Sequence, residues 1–210
     1  MKDLYIIGAG GFGKEVAWLA ERINDVQATW EIKGFIDDND AIWGTTIDDY
    51  PVLGGTDYLK SCDGAYVVCA VGSAKVRKKI IEKISNYPIQ FATLIDPSVI
   101  MSKRVTVGEG TIICAGTIIT VDVTIGNHVI INLDCTLGHD DVIHDYVTMY
   151  PSVNVSGCCE VGSCVEFGTG MQILQGLSVV DGAIVGASAC VVKNIEEARV
   201  YVGAPAKRIK

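Results

Sequence analysis

An aliphatic or other large apolar residue recurs at every sixth position between residues 101 and 191, without a break. The series reads Met101, Val107, Ile113, Ile119, Ile125, Ile131, Leu137, Ile143, Met149, Val155, Val161, Phe167, Ile173, Val179, Val185 and Val191. A period of six fits neither an amphipathic helix nor the two-residue alternation of a half-buried strand. The architecture that repeats in this way is a solenoid of short strands joined by corners.

Two further positions of the six-residue unit carry a pattern. The residue two places before the key residue is mostly apolar, and a glycine often follows the key residue, at Gly108, Gly126, Gly138, Gly162, Gly168 and Gly186. Each unit is therefore predicted to form one strand with two inward side chains and one corner, where glycine relieves backbone strain. Three units close a triangular coil, so residue n is predicted to lie over residue n+18. A β-sandwich with evenly spaced strands is the alternative.

The repeat resembles that of the hexapeptide-repeat acyltransferases. This resemblance implies a left-handed parallel β-helix over residues 94–210. The left hand of the coil comes from the resemblance, since the spacing alone does not fix it. After residue 191 the repeat stops, and the remaining tail is too short for a domain of its own. We expect the tail to cap or flank the last coil.

Residues 1–93 show a different pattern, in which apolar strands alternate with helical segments. Strands are predicted at residues 4–7, 33–36 and 65–71, and a short connector at residues 94–96 leads to the coil. Alternation of this kind predicts a small Rossmann-like α/β domain with a parallel sheet. The chain is thus expected to have two domains, residues 1–93 and residues 94–210.

A glycine-rich turn follows the first strand, and polar residues follow the next two. The candidate nucleotide-binding residues are Gly8, Gly10, Gly11, Phe12, Gly13, Asp37, Asp38, Gly72 and Ser73. A strand, glycine turn and helix start bring backbone N–H groups close to a phosphate, and the acidic strand end can meet a ribose. A nicotinamide dinucleotide site and a purely structural glycine turn are the alternatives. A site for a nucleotide-linked ligand is favoured, because both features lie at the carboxyl edge of the sheet.

Composition narrows the class of protein. The net charge of −8 argues against a nucleic-acid-binding surface, and no apolar window is long enough for a membrane span. The N-terminus runs straight into a strand, so we expect a cytoplasmic protein. The eight cysteines are scattered and are interpreted as reduced thiols. No metal site is predicted, since Cys158, Cys159 and Cys164 lack the paired spacing of zinc ligands.

The sequence around Gly138-His139-Asp140 is the candidate for catalysis. His139 and Asp140 lie two and three places after the inward Leu137, so both are predicted at a corner. A carboxylate that binds one ring nitrogen would set the tautomer of the imidazole and raise its basicity. The n+18 rule brings Gly157 over His139, where its N–H is a candidate oxyanion donor. An exposed corner histidine with a charged neighbour is the alternative.

Three other polar residues lie at corners of the predicted coil. Asn132, at the preceding corner, is a candidate for positioning a substrate amine or hydroxyl. His144 follows an inward residue and is interpreted as a tolerated corner residue, and His128 is interpreted in the same way.

Four stretches together resemble one bacterial group, the sugar O-acyltransferases of the sialic acid O-acetyltransferase family. They are residues 6–14, residues 34–38, the Gly138-His139-Asp140 corner and residues 203–207. The group includes acetyltransferases that act on nucleotide-linked 4-amino sugars. The resemblance implies a nucleotide-sugar site in the N-terminal domain, acetyl-CoA as co-substrate, and active sites between the subunits of a homotrimer. It also implies His139 as base, Asp140 as its partner, Asn132 as the corner asparagine and Gly157 against the thioester.

Two positions depart from the pattern of that family. Phe12 stands where a histidine is common, and Thr148 stands where many members carry a second histidine against the coenzyme. The residues assigned to acetyl-CoA are Gly157, Thr148, Gly168, Thr169 and Ala187.

The sequence therefore favours an acetyl-CoA-dependent N-acetyltransferase acting on a nucleotide-linked amino sugar, with a UDP-, dTDP- or GDP-linked 4-amino sugar as the expected substrate. O-acetylation of a sialic acid or a related sugar is the alternative within the same class. A catalytically inert nucleotide-sugar-binding protein is the alternative from another class.

Overall fold

A computed structural model describes residues 1–209 of the chain. These residues form two compact units, each described by itself. The first unit comprises Met1–Gly72 and Val76–Pro97, and the second comprises Ser73–Lys75 and the residues from Ser98 onward.

The first unit is an α/β fold around one small sheet. Its elements in chain order are β1 (Lys2–Ile7), α1 (Gly11–Val26), β2 (Trp30–Ile36), β3 (Thr46–Ile47), β4 (Tyr50–Gly54), β5 (Tyr66–Cys69), α2 (Ala74–Ile84) and β6 (Gln90–Phe91). The sheet order is β3-β4-β2-β1-β5-β6. All neighbours pair in parallel except β3 and β4, which form a short antiparallel hairpin. The predicted parallel sheet is therefore confirmed, with one antiparallel strand added at its edge.

The apolar strands of this unit form its core. Leu4 and Ile6 of β1 and Phe35 of β2 are fully buried. Helix α1 packs its apolar face on the sheet, and Val16 and Leu19 are buried on that face. Burial of this apolar face stabilises the helix more than its own propensity does, since α1 begins at glycine and lacks a side-chain cap at its N-terminus.

The second unit is built of two-residue strands that recur every six residues. The strands are β8 (Ile100–Met101), β9 (Thr106–Val107), β10 (Ile112–Ile113), β11 (Ile118–Ile119), β12 (Thr124–Ile125), β13 (Ile130–Ile131), β14 (Thr136–Leu137), β15 (Val142–Ile143), β16 (Thr148–Met149), β17 (Asn154–Val155), β18 (Glu160–Val161), β19 (Glu166–Phe167), β20 (Gln172–Ile173), β21 (Ser178–Val179), β22 (Ile184–Val185) and β23 (Cys190–Val191). The segment expected to be a plain connector contains a further short strand, β7 (Leu94–Ile95).

The strands stack in three parallel sheets with a constant register. Leu137 pairs with Val155, and Ile131 pairs with Met149, so each strand lies over the strand eighteen residues earlier. The key residues point into the prism together with the residues two places before them, such as Cys135 and Val153, which are buried. This is the parallel β-helix that the period of six predicts.

The corners correct one detail of the sequence prediction. The glycines that directly follow the key residues do not have a positive φ. The positive φ occurs three places after the key residue, and most residues there are not glycine, as at Asp134, Asp140 and Cys158. Glycine is needed after the key residue for another reason. A Cβ on Gly126 or Gly138 would collide with the backbone of the next coil. Close approach between coils therefore selects these glycines.

The tail joins the end of the β-helix. Strand β24 (Val200–Val202) pairs in parallel with β22, and β25 (Lys207–Arg208) returns antiparallel to β24. The tail thus covers an edge that the last coil would otherwise leave unpaired. No helix within residues 1–209 is long and apolar enough to cross a bilayer.

Candidate active site

The corner after β14 presents two side chains to solvent. His139 and Asp140 are about half exposed, and the Asp140 backbone has a φ of 60°. A left-handed conformation is uncommon for residues other than glycine, but aspartate tolerates it better than most. The turn is held in place by the hydrogen bond that the Asp140 N–H donates to the carbonyl of Val121, one coil earlier.

His139 and Asp140 form a close imidazole–carboxylate pair. Nδ1 of His139 lies 2.7 Å from Oδ2 of Asp140. Because a carboxylate accepts hydrogen bonds, this contact holds the proton of the neutral ring on Nδ1. Nε2 is then left with a lone pair, as a general base requires.

Gly157 lies directly against the imidazole, as the n+18 rule predicts. A Cβ built on Gly157 would stand 2.7 Å from Nε2 and 2.9 Å from both Cδ2 and Cε1 of His139. Any side chain at this position would therefore displace the ring. The next residue, Cys158, fixes the backbone here, since its N–H donates to the carbonyl of His139 at 2.7 Å.

The N–H of Gly157 has no acceptor among residues 1–209. It lies against the Cα of Gly138, where a Cβ would collide with it. The corner therefore combines a ring nitrogen that can take a proton with a backbone donor one coil away. This is the pair of functions that attack on a carbonyl needs.

Asp141 points into the prism, at a position where most other units carry an apolar residue or threonine. It is fully buried, and its Oδ1 accepts a hydrogen bond from the N–H of Cys159 at 2.8 Å. Its Oδ2 is buried and has no hydrogen-bond partner among residues 1–209. Burial raises the pKa of this carboxyl to about 7. The sequence analysis missed this residue, although its place in the repeat predicts that it points inward.

Cys158 is a second residue that the sequence analysis did not assign to this corner. The n+18 rule relates it to Asp140, and it shares the positive φ of 60°. Its Sγ lies 3.8 Å from Nδ1 of His139, and its side chain is exposed. Cys159, in contrast, is buried in the prism as predicted.

The stacked corners form two edges of the prism that carry predicted site residues. We call residues 138–140, 156–158 and 174–176 the His139 edge, and residues 132–134, 150–152, 168–170 and 186–188 the Asn132 edge. Backbone hydrogen bonds connect the corners within each edge, for example from Ser152 to Leu133 and from Ser188 to Thr169. Strands β14, β17 and β20 separate the two edges.

Asn132 and three of the residues assigned to acetyl-CoA lie on the Asn132 edge. Those three are Gly168, Thr169 and Ala187, of which Thr169 and Ala187 are exposed. Asn132 is largely buried, and its Oδ1 accepts the N–H of Leu133 at 2.7 Å. One chain therefore does not bring these residues to His139, and their roles stay predictions.

Thr148 lies on neither edge. It stands on β16 with 1% of its surface exposed, so its hydroxyl is not open to a ligand in this chain. A contact between Thr148 and the acyl group stays a prediction, which the burial of the hydroxyl does not favour.

The glycine turn of the first unit borders a cleft of about 280 Å³ at one residue, Gly8. Gly8, Asp37 and Asp38 line this cleft, together with Thr56, Val76 and Ile80, which the sequence analysis did not select. The last two stand four residues apart on α2 and present one apolar face. Such a face is suited to an aromatic or other flat group.

The glycines of this turn have distinct roles. A Cβ on Gly13 would collide with the carbonyl of Gly8, whereas Gly10 and Gly11 face open space. Gly13 therefore permits close packing of α1 on the turn. Gly10 and Gly11 leave the backbone accessible, and Phe12 is half-buried between them and Gly13.

The two acidic residues after β2 are bound to the protein itself. Asp37 accepts hydrogen bonds from the N–H groups of Ala9 and Asn39, both at 2.9 Å. Asp38 accepts the N–H of Thr56 at 2.7 Å, which lowers its pKa. Both carboxylates therefore shape the cleft, and any bond to a ribose would use their remaining lone pairs.

Gly72 and Ser73 are likewise engaged. The carbonyl of Gly72 accepts a hydrogen bond from the buried Arg77 at 3.1 Å. The hydroxyl of Ser73 lies 3.3 Å from Oε1 of Glu166. The structure therefore gives both residues structural contacts, and their role in binding a nucleotide stays a prediction.

Comparison with known proteins gives matches at the levels of domain and sequence. The PglD N-terminal domain family matches residues 3–84. UDP-N-acetylbacillosamine N-acetyltransferase of Bacillus subtilis (strain 168) is 34% identical over 117 residues, which cover 55% of this chain and 52% of that protein. The matched segment thus spans about half the length of this curated relative.

Three solved structures match over almost their full lengths. The acetyltransferase domain of PglB from Neisseria gonorrhoeae FA1090, in complex with acetyl coenzyme A, has a TM-score of 0.90 at 28% identity and covers 99% of each chain. WeeI from Acinetobacter baumannii AYE has a TM-score of 0.89 at 30% identity and covers 100% of each chain. A histidine-to-asparagine mutant of perosamine N-acetyltransferase from Caulobacter crescentus, in complex with CoA and GDP-perosamine, has a TM-score of 0.89 at 25% identity, covering 100% of this chain and 98% of that one. The predicted fold class, an α/β domain followed by a left-handed β-helix, is confirmed.

Proposed function

This chain belongs to the sugar acetyltransferases of the hexapeptide-repeat family, and we propose that it transfers the acetyl group of acetyl-CoA to the amine of a nucleotide-linked amino sugar. The observation that carries the proposal is the corner at which Nε2 of His139 lies against Gly157, whose N–H has no acceptor among residues 1–209. Similar proteins support the choice of substrates, since their structures hold acetyl coenzyme A in one case and CoA with GDP-perosamine in another.

In the proposed reaction, the amine of the acceptor attacks the thioester of acetyl-CoA directly, without a covalent enzyme intermediate. The amine nitrogen bonds to the thioester carbon while Nε2 of His139 takes the amine proton, and Asp140 stabilises the imidazolium that forms. The N–H of Gly157 donates to the carbonyl oxygen as it becomes negative. Collapse of the tetrahedral intermediate breaks the carbon–sulfur bond. The imidazolium then returns the proton to the departing CoA thiolate, and the base is regenerated.

The nucleotide part of the substrate is assigned to the cleft in the first unit. The exposed backbone of Gly10 and Gly11 at the start of α1 is suited to a phosphate, because a helix N-terminus carries unpaired N–H groups and a partial positive charge. The apolar face of Val76 and Ile80 is suited to the base or ribose. Phe12 gives the turn an apolar side chain, so recognition rests on backbone donors.

A homotrimer is part of the proposal. Asn132, Gly168, Thr169 and Ala187 lie on one edge, and His139 and Gly157 lie on another. In a threefold assembly, the Asn132 edge of one copy would face the His139 edge of the next, so a coenzyme bound between them would contact both sets. We expect this assembly to act in the cytoplasm, in keeping with eight cysteines that form no disulfide within residues 1–209.

Acetyl-CoA consumption with a panel of acceptors tests the function. The panel contains UDP-, dTDP- and GDP-linked 4-amino sugars, the same nucleotides with hydroxyl sugars, and free sialic acid. Turnover confined to the amines supports the proposal, and turnover on sialic acid would replace it with O-acetylation. If no acceptor in the panel is acetylated but the protein still binds nucleotide-sugars, an inert binding protein would be favoured.

A mixing experiment tests the shared site. The Asn132→Ala and His139→Ala variants are each expected to be impaired, but mixed trimers would contain some sites with both native residues. Activity regained on mixing supports the shared site, and a mixture no more active than its parts contradicts it.

A further inference from the structure

Three metal-ligating side chains converge at the proposed catalytic corner. His139, Asp140 and Cys158 each offer one ligand atom, and the three atoms lie within 4.8 Å of one another. Nδ1 of His139 is 2.7 Å from Oδ2 of Asp140 and 3.8 Å from Sγ of Cys158. All three side chains are exposed, so an ion can reach them from solvent.

The backbone fixes this arrangement before any ion arrives. Asp140 and Cys158 occupy equivalent corner positions in successive coils, each with a φ of 60°. The N–H of Cys158 donates to the carbonyl of His139, which ties the two coils together. The cluster thus rests on the β-helix and needs only side-chain rotation to adapt to an ion.

The separations suit a tetrahedral ion of the size of zinc. Zn–N and Zn–O bonds of about 2.0–2.1 Å and a Zn–S bond of about 2.3 Å place tetrahedral ligand atoms roughly 3.3–3.6 Å apart. The distance between Nδ1 and Sγ is already close to this range, and the distance between Nδ1 and Oδ2 has to grow by less than an ångström. A thiolate, an imidazole and a carboxylate also form a donor set that favours Zn²⁺ over Mg²⁺ or Ca²⁺.

We propose that this cluster binds Zn²⁺ and that the bound ion inhibits the enzyme. The ion takes Nδ1 of His139, Oδ2 of Asp140 and the thiolate of Cys158, and water completes the site. A neutral imidazole with a metal on Nδ1 carries its proton on Nε2. Nε2 then has no lone pair for the substrate amine, so the base is switched off by a change of tautomer.

The proton balance of this step is simple. Cys158 releases its thiol proton when it becomes a thiolate ligand, and the ring proton of His139 moves from Nδ1 to Nε2 through solvent. One proton is released for each ion bound, so binding strengthens as the pH rises. No bond is oxidised or reduced, and a chelator reverses the step.

Direct binding measurements test the site independently of activity. Isothermal titration of the full chain with Zn²⁺ is compared for the wild type, Cys158→Ser and Cys164→Ser. Cys164 is a matched control because it has the same corner position, with a φ of 58°, on another edge. Co²⁺ serves as a spectroscopic probe, since a cysteine thiolate on cobalt gives a charge-transfer band in the near ultraviolet.

The expected result is one Zn²⁺ per chain and a thiolate–cobalt band in the wild type and Cys164→Ser. In Cys158→Ser the band is lost, and the dissociation constant for Zn²⁺ rises about tenfold or more. Equal binding by Cys158→Ser and the wild type, or no binding by either, would overturn the site. Mg²⁺ should not bind at the same concentrations.

The inhibition rests on the proposed function and is measured separately, by chromatography of acetyl-CoA and product. Cys158→Ser is expected to keep wild-type turnover in the presence of a chelator and to need about tenfold more Zn²⁺ for half-inhibition. A wild type that binds Zn²⁺ at the cluster yet turns over normally would overturn the inhibition alone. If no acceptor is acetylated, the result counts against the proposed function. The Zn²⁺ titrations would still show whether the cluster binds the ion.

Discussion

The β-helix carries two imidazole–carboxylate pairs, and we propose a catalytic role for only one of them. His139 pairs through Nδ1 with the adjacent Asp140 at 2.7 Å, and its Nε2 lies against Gly157. His144 pairs through Nε2 with Glu160 at 3.1 Å. Both pairs are exposed. The two histidines lie at successive corners of one coil, but Glu160 lies on strand β18 of the next coil.

The difference lies in what the backbone places opposite each ring. The residue one coil beyond His139 is Gly157, whose N–H has no acceptor among residues 1–209. The residue one coil beyond His144 is Gly162, whose N–H donates to Val179 at 2.8 Å. An imidazole and a carboxylate are therefore not enough for this chemistry. A free backbone donor on the next coil is what distinguishes the first pair.

The largest effect is expected from removing the two histidines in turn. His139→Ala should lower kcat by about 10²-fold or more, because the proton acceptor is lost. His144→Ala should leave kcat within about threefold, since its ring faces no free donor. Steady-state kinetics with the best acceptor measures both. Equal losses in the two variants would remove the distinction between the pairs.

The second prediction changes the glycine opposite each ring. Gly157→Ala places a methyl group 2.7 Å from Nε2, closer than the ring can tolerate. It should lower kcat about 30-fold, since displacement of a catalytic group by about an ångström is costly. Gly162→Ala is the matched control, because its Cβ meets Asp181 instead of a histidine. Both variants should lose thermal stability, but only Gly157→Ala should lose activity at a temperature where both are folded.

The third prediction concerns the carboxylates. Asp140→Asn removes the charge that stabilises the imidazolium of His139 and should lower kcat about tenfold. Glu160→Gln should have no measurable effect. Rates measured across the pH range separate orientation from charge. A pH profile of Asp140→Asn that matches the wild type in position and height would show that Asp140 does not support the base.

The last prediction concerns stability instead of activity, at Asp141, which lies between the two histidines in sequence and points inward. Burial raises the pKa of its carboxyl to about 7, above its value in the unfolded chain. The protonated form is thus favoured by folding, and its contribution to stability is complete below about pH 4 and is lost as the pH rises through about 7.

Asp141→Asn removes this titration. The stability of the variant relative to the wild type should therefore increase between about pH 4 and pH 8, by on the order of 3 kcal/mol. Urea unfolding at several pH values measures the difference. A difference that stays constant with pH would mean that Asp141 titrates alike in the folded and unfolded chain.

The β-helix could be predicted from the sequence because its period is strict. Every key residue from Ile113 to Val191 is buried, and the register of eighteen residues follows from the strand pairing. The role of the glycines could not be predicted in the same way. Whether Gly138 is needed for its φ or for the approach of Gly157 depends on the distance between coils, which the period does not contain.

The site could be predicted in part, and the reason is again the register. The contact of His139 with Gly157 follows from the n+18 rule, and the same rule applied to Asp140 points to Cys158. The catalytic roles of these residues stay predictions. Thr148 was assigned from the resemblance alone, and its burial depends on packing that a repeat pattern does not describe. The engagement of Asp37 with Ala9 likewise depends on the path of the turn, which a glycine motif leaves open.

A crystal structure of the assembled protein with acetyl-CoA and a nucleotide-linked amino sugar tests the account most directly. We predict a thioester oxygen about 3 Å from the N–H nitrogen of Gly157 and an acceptor amine about 3 Å from Nε2 of His139. A thioester bound beside His144 and Glu160, or an acceptor amine held away from His139, would contradict it.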